Sequence, residues 1–195
     1  PSIAVLPFQN MSGDPEQEYF ADGITEDIIT GLSKLSGLVV IARNSSFVYK
    51  GKSTSVKEIG RELGVRHLLE GSVRKAGVSV RITAQLVEAS SGHHLWAERY
   101  DRTLDDAFTI ESDVAQRIVA AVGAALTSAE QGRLQAEPTA NAEAYRLYLQ
   151  GREYWTRPGF LLQDRETAQR LFERALALDP DFALAHATLS QVHGE

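Results

Sequence analysis

The chain contains no cysteine among its 195 residues. That absence excludes disulfides, thiolate metal sites and a cysteine nucleophile, and it fits any cellular compartment. Long apolar runs are also missing: nothing approaches the roughly 18 consecutive apolar residues that span a bilayer, so no membrane insertion is expected. Positive charge is the scarcer sign, with 20 Lys and Arg against 26 Asp and Glu and a net charge of -6. A general binder of nucleic acid or anionic membranes wants a basic field, so no nucleic-acid partner is expected for this chain. What remains is a composition with 43% hydrophobic and 24% charged residues. Those values are those of a globular protein able to form one good core or two small ones.

The chain is organised around its first stretch. Ser2-Ile-Ala-Val-Leu-Pro-Phe8 is almost wholly apolar and closed by proline, which reads as a buried strand. Ile24, Ile28, Ile29, Leu32 and Leu35 then share one helical stripe. A strand buried on both faces followed by an amphipathic helix begins an α/β layer. Leu38–Ala42 predicts a second buried strand. A helix over Val56–Leu63 follows, opened by Ser55 and Glu58 as a capping box and closed by Gly64. From His67 the pattern becomes an antiparallel meander: His67–Ala76, Val78–Ala89 and His94–Tyr100, with turns at Ala76-Gly77 and Ser90-Ser91-Gly92. In the middle strand Val78, Val80, Ile82, Ala84 and Leu86 face inward. Arg81, Thr83 and Gln85 face outward, with Arg74, Trp96 and Tyr100 nearby, although the pattern does not fix the face of Trp96 and a position in the core or under a helix is its better reading. Leu104–Gln135 reads as one long helix capped by Asp105 or Asp106, with Phe108, Val114, Ile118, Ala121, Val122 and Ala125 turned inward.

Few residues invite a chemical reading. In the Gln9–Asp22 loop, Asp14 can cap a helical turn with Pro15 at its first position and Gln17 completing a capping box. The same loop lies beyond the carboxyl end of a strand, where open α/β sheets bind ligands. Asn10, Ser12 and Asp14, with Asn44 and Ser46 from the loop after the second strand, are therefore the candidate ligand-binding residues. Gly51-Lys52-Ser53-Thr54 mimics the end of a phosphate-binding loop, but Ser46 stands where that motif needs its first glycine. A solvated basic turn is the better reading. His93 and His94 are adjacent on an extended chain and point to opposite faces, so they cannot share one ion. No nucleophile, base and orienting group form a set, so a hydrolase built on Asp14, Glu16 or Asp22 is disfavoured. No catalytic residue, metal or cofactor is assigned.

Glu137-Pro138-Thr139-Ala140 breaks the pattern and sets the expected boundary between a domain at 1–136 and a helical region at 137–195. In the tail, Leu147, Gly151 and Tyr154, then Ala168, Phe172, Ala175 and Pro180, resemble the two helices of a tetratricopeptide repeat. The Ala-Leu-Asp179-Pro180 ending is the most specific part. The intervening turn, Thr156–Asp164, is about five residues longer than in the usual two-helix unit. A next repeat begins at Ala183, with Ala187 and Leu189 in place. About one and a half repeats are thus expected, and such units bury their faces only by stacking. They must lean on the first domain, on a second copy, or on further repeats. The chain starts on a strand without methionine and stops inside a helical segment, as a piece of a longer protein would.

Five stretches together carry a family resemblance: Ser2-Ile-Ala-Val-Leu-Pro-Phe8, Ser12-Gly-Asp-Pro-Glu-Gln-Glu-Tyr-Phe-Ala-Asp-Gly23, Ile41-Ala-Arg-Asn-Ser-Ser-Phe47, Leu69-Glu-Gly-Ser-Val-Arg74 and Leu95-Trp-Ala-Glu-Arg-Tyr-Asp-Arg102. Over about residues 1–130 the chain resembles the TolB-N-terminal-like module that precedes tetratricopeptide repeats in bacterial signalling proteins. The resemblance implies an α/β fold with a mixed sheet, an antiparallel meander and packed helices, followed by all-α tetratricopeptide repeats. It also implies a non-catalytic regulatory and protein-interaction role, C-terminal to a class III adenylate or guanylate cyclase domain or to a winged-helix DNA-binding domain. The runner-up is a small-molecule-sensing domain. A protein partner would grip the repeats or the sheet face, through Arg81, Gln85, Trp96, Tyr100 and Tyr154, and a homodimer is a further expectation. The expected location is cytoplasmic, or periplasmic if a membrane span precedes residue 1 in the parent.

Overall fold

The computed structural model describes residues 1–103, 109–134, 139–157 and 162–194. Its centre is β1 (Ser2–Val5), whose Ile3, Ala4 and Val5 are fully buried. Pairing with its neighbour breaks at Pro7, which has no N–H to give, and resumes over β2 (Gln9–Asn10). After a 3-10 turn at Pro15–Gln17 comes α1 (Glu18–Ser33), followed by β3 (Val39–Val40), α2 (Arg43–Phe47) and α3 (Val56–Leu63). Three ten-residue strands follow, β4 (His67–Ala76), β5 (Ser79–Glu88) and β6 (His94–Thr103). Among the described residues five helices follow: α4 (Thr109–Val122), α5 (Ser128–Leu134), α6 (Ala142–Trp155), α7 (Leu162–Leu178) and α8 (Ala183–Gly194). No described helix is long and apolar enough to cross a membrane.

The sheet order is β3-β1-β4-β5-β6, with β2 lying along β4. β1 pairs parallel with β3 and β4, whereas β4, β5 and β6 form the antiparallel meander. Ile3, Val5, Leu69, Val73, Ile82, Ala84 and Leu86 point to one face and join α1 and α4 in the main core. Ala4, Leu6 and Leu68 point to the other and meet Ile59, Val65 and Ala89 in a smaller cluster under α3. The period-2 alternation of the strands therefore decides which residue enters which core. All five apolar residues of the α1 stripe are buried, at 7% exposure or less.

The structure differs from the sequence reading in four places. The second strand is a two-residue edge, and Val39 is 65% exposed rather than buried, because among the described residues no strand pairs the outer side of β3. Val78 is 73% exposed, since the hairpin turn takes it out of the alternation. Arg43–Phe47 is helical, and it carries Ser46 into a buried position. Finally, the segment read as one long helix is two. Gly123 adopts φ +66° and Ala124 N–H bonds back to the Val119 carbonyl, ending α4 in a left-handed cap. Thr127 and Glu130 then start α5 with a reciprocal capping box. Ala121 and Ala125, expected inward, are exposed, while Ile110, Val114, Ala115, Ile118 and Val119 are buried. The caps proposed at Asp105 and Asp106, the inward Phe108 and the Glu137-Pro138 break lie outside the described residues.

Every described element after residue 139 is helical. Asn141 caps α6 by accepting from Ala144 N–H at 3.0 Å. Thr139 donates to Asp179, tying the start of α6 to the end of α7. Tyr148 sits between Phe172 and Phe182, with ring centroids 5.9 and 5.0 Å away. α6 approaches α7 closely at Gly151, where a Cβ would lie 2.6 Å from the Phe172 ring.

Glu130 offers a pH test of the α5 start. Its carboxylate accepts from Ser36 N–H at 2.8 Å, Thr127 N–H at 2.8 Å and the Thr127 hydroxyl at 2.7 Å. The backbone N–H groups of Ser36 and Thr127 hold it at about 2, against an ordinary 4.5. The folded state thus prefers the ionised form, and the stability it adds is present above about pH 4.5 and lost as pH falls through about 2. Denaturant titrations across that range are expected to show Glu130→Gln less stable than the parent at pH 7. The gap should close as the pH approaches 2.

Candidate functional site

The most heavily built polar site lies where α6 packs onto α1. On α1, Glu26 and Asp27 are each 8% exposed. They are met by two guanidiniums from elsewhere in the chain. Arg152, on α6, pairs with Glu26 and reaches Asp27 Oδ1 at 2.6 Å. Arg43, at the start of α2, pairs with Glu26 from the other side. The Tyr145 hydroxyl, two turns earlier on the same face of α6, donates to Asp27 Oδ2. Burial lowers the Arg152 guanidinium to about 10 and lowers that of Arg43 as well. The Arg152 group stacks 5.4 Å from the Tyr148 ring.

The backbone geometry makes this possible. Gly23 has no side chain, and a Cβ there would lie 2.7 Å from Leu149, so the two helices approach closely enough for short side chains to meet. At the rim, Lys50 bonds Asp22 at 2.6 Å and Glu18 at 2.8 Å, fastening the α2–α3 connection to the same helix. Burial raises the Asp22 carboxyl despite that ammonium. A cavity of about 30 Å³ lies among Asp22, Gly23, Glu26, Arg43, Leu149 and Arg152, room for about one water. The arrangement joins two parts of a protein and leaves little space for a substrate.

The sequence-predicted residues fall into three groups. Asn10, Ser12 and Asp14 form a self-supporting loop. Asn10 Nδ2 donates to the Asp14 carbonyl and Oδ1 accepts from Ser12 N–H, Ser12 Oγ accepts from Lys75 N–H, and Asp14 Oδ1 accepts from Glu16 N–H. Asn44 is exposed on α2, and Ser46 is buried with its hydroxyl donating to the Arg43 carbonyl. Gly51, Lys52 and Ser53 form an exposed turn. Arg81 and Gln85 lie on the uncovered face of the meander, with Arg74, Thr83, Arg99 and Asp101. Trp96 and Tyr100 do not join them. The register pairs Trp96 with Leu86 and Tyr100 with Ile82, which sets both on the helix-covered face. Tyr100 is 5% exposed, its hydroxyl has no described partner, and burial pushes the phenol up to about 12. Tyr154 is half-buried on α6, beneath the Arg157 guanidinium at 4.5 Å.

Sequence reasoning missed the α1–α6 joint. A signal existed, since Glu26 and Asp27 interrupt the isoleucines of α1 and Asp27 stands three residues after Ile24, at the margin of the inward stripe. An acid there calls for a buried cation. Nothing local identifies Arg152, more than a hundred residues away.

Among the described residues, the fold is a two-faced sheet braced by helices, with its most heavily built polar site at an internal joint. The chain belongs to the family described as HilA/YgeH-like transcriptional regulator, second domain, which it matches over residues 1–121. Over 190 residues, 97% of its length, it is 54% identical to a Rhizobium meliloti (strain 1021) protein named "Putative adenylate cyclase 3". It spans 32% of that relative. Among solved structures, TolB from Acinetobacter baumannii is 16% identical, with a TM-score of 0.48 over 63% of this chain and 28% of that one. Lipoprotein GNA1162 from Neisseria meningitidis is 20% identical, with a TM-score of 0.45 over 65% of this chain and 99% of that one.

Removing one partner of a buried ion pair strands the other charge in a poor solvent, at about 3–5 kcal/mol. Arg152→Met is expected to lower the unfolding free energy by that much in urea, with α6 amides losing protection from hydrogen exchange before those of β4. Lys50→Ala, at the solvated rim, is expected to cost no more than about 1 kcal/mol.

Proposed function

We propose that this chain is a non-catalytic regulatory and protein-interaction module of a bacterial signalling protein, the C-terminal part of an adenylate or guanylate cyclase. The observation that carries the reading is the 54% identity sustained over 97% of this chain, within a cyclase-named relative of which the chain spans 32%. The α1–α6 joint supports it, because it is built to hold an α/β body and a helical extension in one arrangement. α6, α7 and part of a following unit are read as one and a half tetratricopeptide repeats, and the likeness to TolB-type modules belongs to the same reading. A protein partner is taken up on the helices, near Tyr154, or on the open sheet face at Arg81 and Gln85. The setting is cytoplasmic. The ligand-sensing alternative at Asn10, Ser12, Asp14, Asn44 and Ser46 ranks lower, since most of their polar atoms already bond their own loop or helix.

One observation favours a second parent. The family match over residues 1–121 is to a domain of transcriptional regulators, which supports the same module acting behind a winged-helix DNA-binding domain.

Purified chain is expected to form no cyclic nucleotide from ATP or GTP, and excising it from the parent is expected to leave turnover measurable but altered in rate. Cyclic nucleotide made by the chain alone would sink the non-catalytic reading. A parent whose rate and assembly state ignore the excision would sink the regulatory one.

A further inference from the structure

The two edges of the sheet are unequal. β3 is two residues long, whereas β6 offers ten, and among the described residues no strand pairs its outer side. A long open edge is a template for another strand, and proteins usually guard it with charge. β6 has such a guard in Glu98, Arg99, Asp101 and Arg102.

The order of those charges is self-complementary. Reading outward from Tyr100, Arg99 mirrors Asp101 and Glu98 mirrors Arg102. An antiparallel copy centred on Tyr100 would set Arg99 against Asp101 of the second copy on the open face, and Glu98 against Arg102 on the helix-covered face. The two-fold axis would repeat each contact. Every neighbouring register fails: sliding one residue opposes Arg99 to Arg102 or Glu98 to Asp101, and sliding two opposes Asp101 or Arg99 to itself. Opposite charges directly across an antiparallel pair stabilise it and like charges destabilise it.

These groups are available for exchange, because each is now held in a solvated pair within its own chain. Asp101 bonds Arg81 at 2.5 Å and Arg99 at 3.2 Å, Glu98 faces Arg117 at 3.5 Å, and Arg102 faces Asp113 at 3.9 Å. Arg99, Asp101 and Arg102 are exposed. We propose that β6 is a homodimerisation edge, at which two copies of this chain join their sheets antiparallel about Tyr100. The charge guard repels other strands and admits its own inverted copy.

Sedimentation equilibrium of the purified chain is the test, with circular dichroism confirming the fold of each variant. The chain is expected to reach a dimer mass as concentration rises. Arg99→Asp alone and Asp101→Arg alone should each halve that mass, since each opposes like charges twice. Mixed in equal amounts they should recover it, because the acidic edge of one then meets the basic edge of the other. The double variant Arg99→Asp/Asp101→Arg should dimerise like the parent. A chain that stays monomeric at every concentration, a dimer indifferent to both single variants, or a mixture that stays monomeric would overturn the proposal.

Discussion

Two carboxylates on one helix, Glu26 and Asp27, oblige the rest of the molecule to come to them. They are nearly out of water, and a buried carboxylate without a cation is among the costliest features a fold can carry. Arg152 and Arg43 meet that need from opposite sides. The consequence is architectural. α1 covers the sheet with its isoleucines and seats α6 with its acids, so one helix belongs to both halves of the chain. The main hydrophobic cluster follows it, running from Ile3 and Ile82 through Phe20 and Ile28 to Tyr148, Phe172 and Phe182 without a break. Apolar packing alone would let α6 slide on α1. Directional charge pairs fix one register, which is the specificity that buried ionic groups provide at the expense of stability.

The sheet shows the opposite economy. Its helix-covered face is apolar except along β6, where Glu98 and Arg102 meet solvent, and its other face is apolar only under α3, where Ala4, Leu6 and Leu68 meet Ile59 and Val65. The remaining surface of the meander, from Glu70 through Arg81 to Asp101, is polar and open. An antiparallel sheet tolerates this because its alternation separates an apolar from a polar side. The purely parallel part of the sheet, β1 between β3 and β4, has both faces filled. The chain thus changes from closed to open architecture along β4.

How much of this was legible in the sequence depended on the range of the interactions involved. Ser55 and Gly64 bound α3 correctly because caps are local. The turns at Gly77 and Gly92 were correct for the same reason, and β4 was placed to the residue. The division of α4 from α5 was written in Gly123 and in Thr127 with Glu130, but alanine-rich periodicity on both sides concealed it. The facing of Trp96 and Tyr100 was not legible, since a strand's alternation gives two sets without saying which is inner, and only pairing with Leu86 and Ile82 decides. Of the candidate site residues, Asp14 was recognisable as a cap, and the structure uses it so. The joint at Arg152 depended on a contact between Asp27 and a residue 125 positions away, which no local pattern encodes.

The unbroken core has a thermodynamic corollary. A helix that serves two layers cannot shift against one without perturbing the other. Any displacement of Arg152 relative to Glu26 would therefore alter the sheet's hold on α1. Were the sheet and the helices each to bind something, linkage would require each occupant to change the other's affinity by the same factor. α1 is thus the element through which strain at the helices would reach the sheet, and strain at the sheet the helices.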